Sequence, residues 1–389
     1  MDANAGRPAR QYQWSISVGR EILRDLVVEA AYVANRGVWW QAPGLINLNA
    51  LTYDRLKSFG LDPVNNAADR TLMTGLLSSA TAASRGFRAP YSTFPLSQTV
   101  AQSLRPFPQF TTIPVYWDPL GKTWYDGLQL KTTKRLSHGL SLVSTFSWQK
   151  SLAMGSETGD PGSGGGVVND VFNRPTNKHL SQYDQPFLFN ISVNYTTPKI
   201  NGNKILSWTL RDWTYGAFLQ YASGMPIAVP TSQGNPTSLN SLLFQNTFDN
   251  RIPGQPLYTV PDLNCHCYDP NATFVLNPKA WAEPAPGTFG GSAPYFNDYR
   301  TQRRPIENMN LGRVWRITEK ASFNLRIEFS NVFNRSFWSN PSAANANAQQ
   351  VRLANGNASA GFGFLTTTFT NGVANQLPRS GVLVGKVQF

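Results

Sequence analysis

Nine segments of about ten residues alternate apolar and polar side chains, a period of two that belongs to extended strands with one apolar face. In "QYQWSISVGR" Tyr12, Trp14, Ile16 and Val18 share one face, and Gln13, Ser15 and Ser17 share the other. A short polar turn leads to "LVVEAAYVANR". "YDGLQLKTTKR" then sets Leu128, Leu130 and Thr132 against Gln129, Lys131 and Thr133, and "LSLVSTFSWQK" groups Leu140, Leu142, Phe146 and Trp148. The pattern continues through "PFLFNISVNYT", "WTYGAFLQYAS", "NMNLGRVWRI", "SFNLRIEFSNVF" and the terminal "SGVLVGKVQF". In the last of these Leu383, Val387 and Phe389 share one parity.

The connections between these segments are short and long in strict alternation. Turns such as "LSHG" and "TEKA" alternate with long stretches at about 37–123, which reads as irregular and is full of Pro, Gly, Asn and Ser, and at about 151–185, 223–307 and 334–379. A soluble sandwich has no reason to sort its loops this way, whereas a membrane barrel has short periplasmic turns and long extracellular loops. Ten residues also suit a tilted transmembrane strand, and the Gln, Asn, Lys, Arg and Glu of the second face suit a wet lumen. Charged residues are only 14% of the chain, aromatics 12%, and no apolar run is long enough for a spanning helix. The expected fold is all-β: an antiparallel transmembrane β-barrel with residues 1–389 as one partial barrel. Nine strands is odd where barrels of one bacterial chain are even, and "MDANAGRPAR" carries no signal peptide. The chain is therefore expected to be a piece of a larger barrel.

The aromatics fall into two groups. Trp39, Trp40, Trp124, Trp148 and Trp338 adjoin long connections, while Tyr195, Trp208, Trp213, Trp315 and Phe389 lie near short turns. Indole and phenol rings favour the membrane interface, where the ring is buried and its N–H or O–H stays wet. The formal charge of +12 comes from scattered Lys and Arg, so nucleic acid is not an expected partner. "CHC" at 265–267 holds the two cysteines of the chain and one of its three histidines. Cys265, His266 and Cys267 make an incomplete soft-metal shell or a local loop disulfide, the structural reading being favoured. "GDPGSGGGVVND" lacks the Lys-Ser/Thr ending of a phosphate loop, and no nucleophile–base–acid set stands out. No enzyme activity and no cofactor are expected.

As a set, "GRPARQYQWSISVGRE", "VVEAAYVANRGVW", "QAPGLINLNA", "AQSLRPFPQF", "TWYDGLQLKTTKRLSHGLSL", "FSWQKS", "SGMPI", "NPKAWAEPAPGTFG" and "LRIEFSNVFNR" resemble the C-terminal half of Oar-like TonB-dependent outer-membrane receptors. The resemblance covers essentially the whole chain, though each motif is mild by itself. It implies a location in the outer membrane of a Gram-negative cell and a parent barrel of about 22 strands. It further implies a receptor-transporter that binds a scarce nutrient in its outer loops and passes it through the lumen. Coupling to the TonB complex would run only through an N-terminal part that this chain lacks. Phe389 would then be the terminal aromatic read by the barrel-assembly machinery, with Val387 and Leu383 facing outer-membrane lipid. The ligand, a small molecule or a carbohydrate, is not specified. A passive porin or adhesin barrel and a soluble β-rich carbohydrate-binding protein are the alternatives.

Overall fold

The computed structural model describes residues 4–115, 118–155, 168–198, 204–232, 239–265, 267–319, 321–366 and 378–389. His266 and the Gly-rich segment 156–167 lie outside the described residues. One antiparallel sheet organises the molecule. Its principal strands are β1 (Arg10–Leu23), β2 (Leu26–Trp40), β3 (Gly121–Ser137), β4 (Leu140–Met154), β5 (Phe187–Thr196), β6 (Trp213–Ala222), β7 (Ile306–Arg316), β8 (Ser322–Ser330) and β9 (Ser380–Gln388). They pair in chain order from β1 to β9, each with its neighbour in sequence, and a short strand at Lys178–Leu180 adds to the end of β4.

The register joins the apolar parities of neighbouring strands into continuous rows. Ile16, Tyr32, Leu128, Trp148 and Phe187 stand opposite one another across five strands. Tyr215, Leu311, Ile327 and Leu383 do the same across the last four. One residue further along, Asn194, Gly216, Asn310, Glu328 and Val382 form a mostly polar row. A slip of one residue at any pair would move a whole apolar set to the wet face, so the pattern fixes the register. The apolar side stays exposed within the chain, with Ile16 at 69% and Leu383 at 69%, as a lipid-facing surface requires.

Short connections close one end of the sheet. The β3–β4 hairpin turns on His138 and Gly139 alone, both at positive φ, the backbone a two-residue primed turn needs. A Cβ on Gly139 would lie 2.0 Å from the Thr196 carbonyl oxygen, so glycine is required by both strain and space.

The connections at the other end are folded, not irregular as expected. Residues 41–120 contain four short helices, α1 (Tyr53–Ser58), α2 (Ala67–Thr74), α3 (Ala80–Ser84) and α4 (Val100–Ser103). Thr52, Asn66, Ser79 and Thr99 cap their N-termini by accepting backbone N–H bonds. The connection from β5 to β6 carries α5 (Lys204–Leu210), and α6 (Leu239–Leu243) lies in the long connection from β6 to β7. Leu51, Leu56, Leu72, Met73, Val100 and Leu104 bury themselves against Leu239, Leu242 and Leu243 of α6. A second core joins Val229, Phe248, Val275 and Tyr299 to Phe362 and Leu365 of the β8–β9 connection. Among the described residues the two hydrophobic cores thus lie in the loops, while the sheet keeps its apolar face exposed. Helices of four to eight residues are too short to display a 3.6-residue period, which is why the sequence reads there as irregular.

Candidate functional site

Where the outer ends of β6 and β7 meet the folded loops, charged residues converge on a cavity. Glu307 is the second residue of β7 and is 2% exposed, although its parity is that of Met309 and Leu311 on the apolar face. Burial of a carboxylate is tolerated only with partners. The Arg335 guanidinium donates from Nε at 2.5 Å and Nη2 at 3.0 Å, and the Tyr221 hydroxyl donates at 2.9 Å. Glu307 in turn holds Arg335 above the ordinary guanidinium range.

Beside this cluster lies a cavity of about 280 Å³ lined by Tyr221, Asn264, Gln302, Arg303, Arg335 and Phe337 among others. Arg335 is fixed by Glu307, while among the described residues the Arg303 side chain pairs with the exposed Asp262 at 4.0 Å. The backbone N–H of Arg303 is anchored at 2.7 Å on Asn264 Oδ1. Next to it, Arg304 donates to the Trp338 carbonyl and to Asn340, and burial pushes its guanidinium down. A wall of two guanidinium groups, two amides and two aromatic rings can grip an acceptor-rich solute with an apolar part.

The loops hold further buried charge. Arg300 donates to Asp184 Oδ2 at 2.6 Å and to its carbonyl at 2.7 Å, joining the β4–β5 and β6–β7 connections. Asp249 is 1% exposed, and its Oδ1 has no hydrogen-bond partner among the described residues. Burial, followed by the nearby Glu283 carboxylate, pushes Asp249 up to about 7. Glu283 accepts from Ser232 and, at 3.0 Å, from Asn347.

The residues singled out from the sequence occupy scattered places. Cys265 and Cys267 form a disulfide, with Cys265 directly following Asn264, the anchor of Arg303, and His266 lies outside the described residues. No group of three metal-ligating side chains occurs among the described residues. Trp39 sits under Arg7 and Arg10 at 3.4 and 4.9 Å, Trp40 is partly exposed, and Trp124 lies 4.3 Å from Lys178 Nζ. Trp148 is exposed on the apolar row, and Trp315 stacks on Phe323 at 5.7 Å. Trp338 packs on the second loop core. Leu383 and Val387 pair with Ile327 and Phe323 on the apolar face, and Phe389 is 97% exposed.

No sequence motif marks out Glu307, Arg335 or Asp249. One signal was present: an acid at the apolar parity of a strand needs a partner. Asp126 shows the same logic on β3, where Arg36 and the Tyr32 hydroxyl meet it at 2.8 and 2.6 Å.

Several solved structures are similar over much of this chain. The ferripyoverdine receptor of the outer membrane of Pseudomonas aeruginosa is 11% identical, with a TM-score of 0.36, over 98% of this chain and 27% of its own. The Pseudomonas putida toluene transporter TodX is 8% identical, with a TM-score of 0.21, over 83% of this chain and 56% of its own. The Ralstonia pickettii toluene transporter TbuX is 10% identical, with a TM-score of 0.19, over 83% and 56%. This chain thus spans roughly a quarter of the length of the receptor it resembles. No curated protein matches it. The family model of the outer membrane beta barrel domain matches residues 1–379. With its nine-strand antiparallel meander and its continuous apolar face, the chain belongs to the outer membrane β-barrel domain family and resides in the cell outer membrane.

Proposed function

We propose that this chain is the barrel segment of an Oar-like TonB-dependent receptor that captures a small solute at its outer face for energy-coupled uptake. The observation that carries the reading is the folded outer cap. Three long connections share two buried cores, and the Arg303–Arg335 cavity lies where that cap meets the strand ends. A preformed concave site with a few convergent polar groups is what small-solute capture requires. Specificity would come from these loops together with a plug carried elsewhere in the parent protein. The chain acts without enzyme chemistry in this reading, and its partners are outer-membrane lipid, the solute and, through the parent protein, the TonB complex. Phe389, Val387 and Leu383 serve as the assembly signal.

The test is growth of cells carrying or lacking the complete reading frame, on limiting nutrients of several chemical classes, with and without TonB. A growth advantage that needs both the gene and TonB is expected. An advantage that needs the gene but not TonB would replace this reading with a passive barrel.

A further inference from the structure

At the short-turn end of the sheet an arginine occupies a place meant for an apolar side chain. Arg313 has the parity of Leu311 and Trp315 and faces Trp213 and Leu325 across the neighbouring strands. Its guanidinium carbon lies 4.7 Å from the ring of Trp208, 5.4 Å from Trp315 and 5.6 Å from Trp213. The residue is 8% exposed, and its Nε has no hydrogen-bond partner among the described residues. Its Nη2 donates to the backbone carbonyl of Trp208 in α5. Trp213 donates from Nε1 to the Thr209 carbonyl at 2.8 Å, tying the same helix to β6. Two wall side chains therefore hold the C-terminal carbonyls of α5 against the membrane-facing side of the barrel.

The helix so held presents apolar residues outward. Ile205 is 75% exposed and Trp208, one turn on, is 55% exposed. Soluble helices turn such residues inward. Here they continue the lipid-facing wall, where Leu311 is 47% and Tyr215 38% exposed. Ring positions at the end of tilted strands are those the headgroup zone favours.

We infer that α5 is an interfacial helix lying in the headgroup zone of the inner leaflet, with phospholipid as its partner and Arg313 as the bolt that fixes it to the wall. The cation under three indoles keeps its charge at the polar boundary while its stacked faces stay among rings. This inference rests on the membrane location of the sheet and not on the uptake reading.

The test places an environment-sensitive fluorophore at I205C, with L311C and E319C as lipid-facing and water-facing references. The Cys265–Cys267 disulfide leaves no free thiol elsewhere among the described residues. The chain is folded into phosphatidylglycerol–phosphatidylethanolamine vesicles containing a headgroup spin-labelled lipid. The 205 label is expected to emit toward the blue, like the 311 label, and to be quenched by the spin-labelled lipid. In R313Q it should shift to water-like emission while the 311 label stays in lipid. A water-like 205 label in the unaltered background, quenched by iodide and not by lipid, overturns the inference, and that arm needs no change at the cage. A blue emission that depends on protein concentration and ignores the spin label overturns it in favour of a second copy covering the helix.

Discussion

Single residues show how strongly this chain's fit depends on what its charges face. Asp126, Glu307 and Arg313 stand at apolar parities, and each meets partners drawn from another element. Asp249 is the exception, buried with one oxygen lacking a hydrogen-bond partner among the described residues and Glu283 near by. In the folded chain Asp249 holds its proton up to about 7, whereas in the unfolded chain it releases it near 4. Between these values the folded state binds more protons, so stability falls as pH rises through the window. The penalty is absent below the unfolded value, complete above the folded one, and on the order of a few kcal/mol. Asp249→Asn is therefore expected to stabilise the outer loops at pH 8 and to make little difference at pH 4. Thermal unfolding followed by protease susceptibility at the two pH values checks it, and equal stabilisation at both would refute the assignment.

At the scale of the elements, the strands are two-faced and the faces are unequal in what they tolerate. Ile327 stands in the apolar row between Leu311 and Leu383, while Asn324, on the other parity, pairs with Val314 and Lys386. Ile327→Arg is expected to cost about 2–4 kcal/mol, as for a lipid-facing charge near mid-membrane. Asn324→Arg, on the face that already carries Arg326 and Glu328, should cost far less. Urea unfolding of both variants in phospholipid vesicles gives the comparison, and equal losses would mean that the faces are assigned the wrong way round. Glycines on β9 add a further element-level device. Gly381 and Gly385 lie beneath the rings of Phe329 and Phe323, whose edges would meet an added Cβ at 3.0 and 3.7 Å. Aromatic cover of this kind fills the space a glycine leaves on a sheet near its edge.

For the molecule as a whole, the sheet and the cap draw on different forces. The wall is held by its hydrogen-bonded register, and the cap by buried apolar clusters pinned with ion pairs. Arg300 and Asp184 join two connections that are far apart in sequence, with side chains 14% and 1% exposed. Arg300→Ala would leave the Asp184 carboxylate buried without its cation, at a cost of about 3–5 kcal/mol. The expected outcome is rapid proteolysis within 155–186 and 223–305 while the strands stay protected, seen by mass spectrometry of the fragments. Cleavage no faster than in the parent chain would show that the cap does not depend on this pair.

The strands, their two faces and the inequality of the connections were legible in the sequence because they are local. Alternation in "SFNLRIEFS" is visible to anyone counting by two, and the pairing register adds only the neighbour. The terminal strand was equally plain, since Leu383 and Val387 carry the same parity as their partners Ile327 and Phe323. The cap was not legible, because Leu56 and Leu242 come together across almost two hundred residues with no period to announce it. Nor was α5, seven residues long, whose placement depends on Arg313 of β7. Sequence alone thus determined the antiparallel wall and which of its faces is apolar, since both follow from side-chain alternation along an extended backbone. Only the tertiary structure decided the cap, its cavity and the partners of the buried charges, because those depend on contacts between residues that the chain itself keeps far apart.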